Sequence, residues 1–128
     1  MSTGSTHRIL ICDDEDVLRA LVRATLDDAS YEIAEAEDGD QSIELARSLK
    51  PDVILLDMMM PGRSGLEVLE LLRADPGLAQ TPVVMLTARA RASDRDAAVA
   101  AGADRYLAKP FSPLELISVV EELLEAGR

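Results

Sequence analysis

The sequence has 128 residues, of which 48% are hydrophobic, so it can form one compact core but is short for two ordinary domains. Its formal net charge is -11 and it contains no run of Lys or Arg, which argues against direct binding to a nucleic-acid backbone. Aromatic residues make up only 2% of the chain, too few for the stacking surfaces that single-stranded nucleic acids require. We therefore expect a single acidic domain that does not bind nucleic acid directly.

The amino-terminal segment 1–7 is polar, and we expect a disordered tail there, followed by one domain over residues 8–128. No apolar run approaches the ~20 residues that a membrane span needs. The predicted location is therefore the cytoplasm, without membrane association. The single cysteine, Cys12, lies inside an apolar run, and we expect a small buried hydrophobic side chain without a redox role.

Five short apolar runs alternate with segments of helical periodicity, which predicts five β-α units. The third and fourth runs are almost continuously apolar, as expected for central strands of a parallel sheet that is covered by helices on both faces. The fold class is therefore α/β. The predicted strands span residues 8–12, 32–36, 53–56, 83–86 and 105–108.

The helical segments carry apolar stripes that predict which residues face the core. The fourth segment, 93–101, is rich in alanine and has a thin apolar face, whereas the fifth, 113–126, has a clear one. The fourth helix is therefore expected to be loosely held. The predicted inward residues of the first three helices are Leu18, Leu21, Val22, Leu26, Ile43, Leu45, Ala46, Leu66, Leu69 and Leu72.

Polar residues end four of the predicted strands: Asp13 and Asp14, Asp57, Thr87, and Lys109. The carboxyl ends of parallel strands share one edge of the sheet, so these side chains should converge, although any one of them alone is also typical of a strand exit. Close carboxylates repel by ~4 kcal/mol per pair at 4 Å and an intermediate dielectric. A divalent cation and Lys109 would offset this repulsion. Mg²⁺ fits, because it prefers oxygen ligands and often binds together with phosphate.

Four segments of the chain together resemble the receiver domain of two-component response regulators. They are Ile-Cys-Asp-Asp-Glu at 11–15, Leu-Leu-Asp-Met-Met-Met-Pro-Gly at 55–62, Leu-Thr-Ala at 86–88 and Tyr-Leu-Ala-Lys-Pro-Phe at 106–111. The resemblance spans nearly the whole chain and includes single-domain chemotaxis and phosphorelay regulators. It implies a doubly wound parallel (βα)5 sheet with the flavodoxin-like strand order 2-1-3-4-5.

The resemblance also implies a role for each matching residue. Asp57 would accept a phosphoryl group from a histidine kinase or a histidine phosphotransfer protein, in a Mg²⁺-dependent reaction. Asp14 and Asp57 would bind the metal directly, Asp13 mostly through water, and Met59 through its backbone carbonyl. Lys109 would pair with a phosphoryl oxygen. The domain would thus be a signalling phosphoacceptor that assists its own phosphorylation and slow dephosphorylation, and not an enzyme in the usual sense.

The same resemblance implies a conformational switch. The Thr87 hydroxyl would move to meet the phosphoryl group, Tyr106 would follow inward, and the face formed by the fourth helix, fifth strand and fifth helix would transmit the change. For Tyr106, a partly buried packing role is the alternative. The peptide bond between Lys109 and Pro110 would be cis, against an average of ~5% for X-Pro bonds in folded proteins.

Two further hypotheses concern the surroundings of the site. Val17, Leu18 and Leu21 follow the acidic pair on the first helix and are candidates for partner docking, with Val17 the best exposed candidate because Leu21 belongs to the apolar stripe. The thioether of Met59 is a poor hydrogen-bonding partner for water and would shield an acyl phosphate from hydrolysis. Arg89 could reach the same rim, or be a solvated surface charge.

Three alternatives remain open at this point. A haloacid-dehalogenase-like phosphohydrolase would also use a strand-end Asp with Mg²⁺, but would normally have a second Asp two residues later, where this chain has Met59. A pseudo-receiver would keep the fold without phosphorylation, which the intact set of polar residues disfavours. Finally, the 128 residues could be a stand-alone receiver or the receiver portion of a longer DNA-binding or cyclase regulator; the downstream target is left open.

Overall fold

The computed structural model describes residues 6–88 and 92–126. Five strands alternate with five helices, as predicted. The strands are β1 (His7–Cys12), β2 (Tyr31–Ala36), β3 (Val53–Asp57), β4 (Val83–Thr87) and β5 (Arg105–Ala108). The helices are α1 (Asp16–Thr25), α2 (Gly39–Leu49), α3 (Gly65–Ala74), α4 (Ala92–Ala100) and α5 (Pro113–Ala126).

The five strands form one parallel sheet in the order β2-β1-β3-β4-β5, which confirms the predicted doubly wound topology. The chain reverses its direction of travel across the sheet between β1 and β3. In such sheets, the cleft at the carboxyl ends of the strands beside this reversal is the usual ligand site. Cys12 pairs with Leu56 in the register of β1 and β3, so the residues that follow these two strands are neighbours.

The core has two halves, one on each face of the sheet. Alternate residues of β1 face opposite halves: Leu10 and Cys12 lie in one, Ile9 and Ile11 in the other. Helices α2, α3 and α4 pack on the first face, and α1 and α5 on the second. All five residues of β3 and of β4 are buried, as their continuous apolar sequences predicted.

Most predicted boundaries agree with the structure within one residue. Strand β1 begins at His7, one residue earlier than expected, while β3 and β4 extend through Asp57 and Thr87. The expectation that Leu21 faces the core is wrong, since 45% of its surface is exposed. Arg19 faces the core instead: it is buried and lies one turn before the buried Val22.

Cys12 is completely buried, as expected, and burial is the main cause that raises the pKa of its thiol to about 12. The described residues contain no helix that is long and apolar enough to cross a membrane.

Helix α3 begins with a capping box in which the Ser64 hydroxyl and the Glu67 carboxylate each accept a backbone N–H of the other residue.

Lys50 is the C-cap residue that follows α2, and its backbone is left-handed with φ 48° and ψ 65°. This conformation is strained for a residue with a Cβ atom. Lys50→Gly should therefore raise the free energy of unfolding by about 0.5–1 kcal/mol, after allowing for the greater freedom of glycine in the unfolded chain. Lys50→Ala removes the ammonium but keeps the Cβ atom and should give no such gain. Urea denaturation of the three proteins measures the difference, and equal stabilities for the Gly and Ala variants would contradict the strain.

Candidate functional site

Three carboxylates meet at the carboxyl edge of the sheet. Asp13 and Asp14 directly follow β1, and Asp57 is the last residue of β3. Asp13 is fully buried and Asp57 is 4% exposed, whereas Asp14 faces solvent. Each offers an oxygen atom, and these three oxygens lie within 4.8 Å of one another. The predicted convergence of the acidic residues is therefore confirmed.

The donor set fits a hard divalent cation. Mg²⁺ binds oxygen at about 2.0–2.1 Å, so ligands on opposite sides of the ion are roughly 4.2 Å apart. The separation of the three carboxylate oxygens is compatible with that span. The exposed Asp14 leaves one side of the cluster open to water, which suits an ion that keeps part of its hydration shell.

Lys109, just after β5, brings the compensating positive charge. Its Nζ lies 2.8 Å from Asp13 Oδ2, 3.2 Å from Asp57 Oδ1 and 3.6 Å from Glu15 Oε1. Burial opposes the charged form, but the hydrogen bond and charge of Asp13 together with Asp57 raise the pKa of the ammonium above its usual value. The bond between Lys109 and Pro110 is cis, which agrees with the expectation from the family resemblance.

The surroundings of Asp57 disfavour the ionised form of its carboxyl. Burial is the main cause that raises the pKa of its carboxyl to about 6, and the neighbouring charge of Asp13 acts in the same direction. Lys109 and the backbone N–H of Met59 oppose the shift. At neutral pH the Asp57 carboxylate is therefore ionised at a free-energy cost, which is offset when positive charge or a bound cation is added nearby.

Thr87 is the last residue of β4 and is 4% exposed. Its backbone carbonyl accepts a hydrogen bond of 2.6 Å from the N–H of Lys109, so both residues stand at the same sheet edge. Tyr106 lies further back on β5, opposite Met85, and is half-buried. The guanidinium of Arg95 on α4 lies 5.5 Å from the centre of its ring.

Met59 lies two residues after Asp57, and its side chain is 74% exposed. Sequence reasoning overlooked Gly65, the first residue of α3. A Cβ atom there would lie 2.1 Å from the backbone oxygen of Asp57, so only glycine permits this approach. The N–H of Gly65 also donates to the carbonyl of Met58. Helix α3 thereby packs directly against the backbone of Asp57. Arg89 lies outside the described residues.

The proposed docking residues differ in exposure. Val17 is 83% exposed on the first turn of α1, Leu21 is 45% exposed, and Leu18 is half-buried. Leu114, at the start of α5, is 78% exposed and was not predicted from the sequence. Helices α1 and α5 pack on the same face of the sheet. Both begin at the edge that carries the acidic residues, so the exposed apolar residues lie on the side of the molecule that holds the site.

A five-stranded parallel sheet in this order, with three carboxylates and a lysine at its carboxyl edge, defines a receiver-type α/β domain. The family model "Response regulator receiver domain" matches residues 9–121. The chain therefore belongs to the receiver domains of two-component response regulators, a family of signalling proteins.

Several relatives and solved structures are similar to the chain. The phosphate regulon transcriptional regulatory protein PhoB of Klebsiella pneumoniae is 41% identical over 118 residues, which cover 92% of this chain and 52% of that protein. The transcriptional regulatory protein ResD of Bacillus subtilis is 43% identical, covering 97% and 50%. The chain thus spans about half the length of these curated relatives.

Among solved structures, the Vibrio cholerae chemotaxis protein CheY4 superimposes with a TM-score of 0.87 at 33% identity, covering 93% of this chain and 99% of that one. The receiver domain of the Francisella response regulator 1452 gives a TM-score of 0.89 at 29% identity, covering 96% and 100%. The similarity to these structures extends over essentially the whole receiver fold.

The raised pKa of Asp57 makes a prediction about stability in metal-free buffer. The pKa of the Asp57 carboxyl is about 6 in the folded protein, against an ordinary value of 3.8. This difference favours folding at pH values below 3.8, and the contribution is lost as the pH rises through 6. Asp57→Asn should therefore raise the free energy of unfolding at pH 7 by on the order of 1–2 kcal/mol. The gain should shrink toward pH 4. Urea denaturation with a chelator measures both; a pH-independent gain would contradict the assigned cause.

Proposed function

We propose that the domain accepts a phosphoryl group on Asp57 in a Mg²⁺-dependent reaction, with a phosphohistidine of a kinase or phosphotransfer protein as the donor. One observation carries the proposal: a buried Asp57 carboxylate shares an ammonium at 3.2 Å with a second buried carboxylate, beside an exposed third one. This arrangement supplies an oxygen nucleophile, a positive charge and oxygen ligands at one open edge. Membership of the receiver family supports the same role.

In the proposed reaction, an Asp57 oxygen forms a bond to phosphorus as the bond between phosphorus and the donor's imidazole nitrogen breaks. The electron pair of that bond stays on the imidazole. Lys109 balances charge on the phosphoryl oxygens, and the Thr87 hydroxyl donates to another of them. Bound Mg²⁺, held by Asp14, Asp57 and the Met59 carbonyl and through water by Asp13, would supply further charge neutralisation.

The structure favours a phosphoacceptor over a phosphohydrolase. The position two residues after Asp57 holds Met59, whose side chain has no acid or base function and is 74% exposed. A general acid that would release product on each turnover is therefore absent from the position where such hydrolases carry it. The pseudo-receiver alternative is disfavoured because Lys109 contacts both Asp13 and Asp57 directly.

Signal output is proposed to run through Thr87, Tyr106 and the face formed by α4, β5 and α5. Thr87 ends β4, and its neighbour in the sheet is Ala108, one residue before Lys109. A hydroxyl that moves toward the phosphoryl group would leave space for the half-buried Tyr106 ring. The acidic charge of the chain favours output through a protein target or an attached domain, and not through direct contact with nucleic acid. The names of PhoB and ResD support transcriptional control as one such output.

The proposed roles of Asp57 as phosphoryl acceptor and of Asp14 as metal ligand can be tested by substitution. Asp57→Asn should abolish phosphoryl incorporation from acetyl phosphate. Asp14→Asn should weaken Mg²⁺ binding at least about tenfold, since even groups that only hold metal ligands are typically worth that much. Asp27→Asn, an exposed acid beyond the end of α1, is the matched control for the change in charge. Calorimetric titration without phosphate measures the affinity, and equal affinity in the Asp14 and Asp27 variants would contradict the assignment.

Partner docking on α1 is tested with Val17, which is 83% exposed. Val17→Asp should slow transfer from a cognate phosphohistidine donor about tenfold, the effect of losing one well-buried apolar contact. Phosphorylation by acetyl phosphate should hardly change, because that small donor needs no docking surface. Val99→Asp places the same charge on exposed α4 and should leave both rates unaltered. Equal slowing with both donors in Val17→Asp would argue against docking.

Phosphoryl lifetime is expected to depend on Met59. Its apolar side chain can cover the path of an attacking water, whereas an amide would orient that water. Met59→Asn should therefore speed loss of the phosphoryl group with little change in Mg²⁺ binding, while Met59→Leu should leave the lifetime long. Decay is followed in excess Mg²⁺ after the donor is removed. An unchanged or slower decay in Met59→Asn would show that Met59 is not a shield.

A further inference from the structure

Arg19 is a charged side chain in an apolar position. It lies on the face of α1 that packs against the sheet, and its side chain is only 8% exposed. A guanidinium is costly to bury unless its N–H groups are hydrogen-bonded. The structure shows that Arg19 has such partners on two other segments of the chain, and one of them belongs to the acidic edge.

The link to the acidic edge is a hydrogen bond of 2.6 Å from Arg19 Nη1 to the backbone carbonyl of Asp13. The other polar groups of Asp13 are also engaged. Its N–H donates to the carbonyl of Ala36 at 3.0 Å, Oδ1 accepts the N–H of Glu15 at 2.9 Å, and Oδ2 accepts Lys109 at 2.8 Å. Arg19 thus holds the backbone carbonyl of Asp13, while β2, Glu15 and Lys109 hold its other polar groups.

The rest of the guanidinium is anchored to strand β2 and to its own helix. Nε donates to Glu35 Oε1 at 2.9 Å, Nη2 contacts Asp16, and Glu37 lies 3.9 Å away. The planar fork therefore spans from the loop that carries the acidic pair to the neighbouring strand. A lysine, with one compact ammonium, could not make these contacts together.

Arg23 provides an internal comparison. It lies one turn further along α1, pairs with the other oxygen of the same Glu35 at 2.8 Å, and donates to the carbonyl of Ile33 at 3.1 Å. It tethers α1 to β2 as Arg19 does, but it has no contact with Asp13. Both arginines connect α1 to β2, but only Arg19 also contacts the loop that carries Asp13 and Asp14. A comparison of variants at the two positions therefore distinguishes the loss of the connection to β2 from the loss of the contact with the loop.

We propose that Arg19 is a positioning residue for the cation site, because its hydrogen bond to the Asp13 carbonyl fixes the loop that carries Asp13 and Asp14. This inference rests on the proposed function. Without Arg19, the Asp13 carbonyl would lose its partner inside the protein and would turn toward water. The carboxylates of the loop would then no longer share one fixed geometry with Asp57, and binding of the cation would require ordering of the loop.

The test compares Arg19→Gln with Arg23→Gln, and adds Arg19→Lys in case the first variant does not fold. In both Arg19 variants, the affinity for Mg²⁺ should fall roughly tenfold, the lower end of the effect of groups that hold metal ligands. Arg23→Gln should bind Mg²⁺ like the wild type. Calorimetry measures the affinity, and urea denaturation shows which variants are folded and how much stability each has lost.

A second readout needs no metal. The backbone N–H of Glu15 donates a hydrogen bond to Asp13 Oδ1. In metal-free protein, the hydrogen exchange of this N–H should therefore be faster in the Arg19 variants than in Arg23→Gln of similar stability. If the wild type binds Mg²⁺ and the folded Arg19 variants match Arg23→Gln in both affinity and exchange, the positioning role is wrong. If the wild type itself binds no Mg²⁺, the proposed metal site fails, and faster exchange confined to the Arg19 variants would still support the hold on the loop.

Discussion

The ammonium of Lys109 between Asp13 and Asp57 is the interaction on which the site depends. Two buried carboxylates at adjacent strand ends would repel each other strongly without it. Even with Lys109 in place, burial and the charge of Asp13 keep the pKa of Asp57 raised, at about 6. The site is thus charged but incompletely compensated, since the cluster of three carboxylates is paired with one ammonium, which contacts the two buried ones. That imbalance is the physical basis for the proposed cation site, and in the proposed reaction the same lysine would balance the charge of the phosphoryl group.

The fold makes this arrangement possible. Parallel pairing of β1, β3, β4 and β5 brings four strand ends to one edge, where residues far apart in sequence become neighbours. The fully buried β3 and β4 make that edge rigid. Gly65 lets α3 approach the backbone of Asp57, and Arg19 secures the loop after β1. The proposed output face, formed by α4, β5 and α5, shares β5 with the site, so a change at Asp57 would have a short path to it.

The five β-α units and the convergence of Asp13, Asp57 and Lys109 could be predicted, because apolar periodicity and strand-end chemistry are local in sequence. The order of the strands in the sheet followed from the family resemblance and not from the periodicity. The exposure of Leu21 could not be predicted, since the apolar stripe of a helix does not reveal that Arg19 occupies the buried position nearby. The long side chain of Arg19 is buried only because acceptors from β2 and the acidic loop surround it. Gly65 was missed for a similar reason, as its close approach to Asp57 exists only after folding.

The proposed transfer of a phosphoryl group to Asp57 can be tested by mapping the modified residue after incubation with acetyl phosphate and Mg²⁺. Borohydride reduces an aspartyl phosphate to homoserine, which mass spectrometry of the peptides then locates. We expect homoserine at position 57, and none when a chelator removes Mg²⁺ during the incubation. Homoserine at another aspartate, or at none in folded protein that binds Mg²⁺, would contradict it.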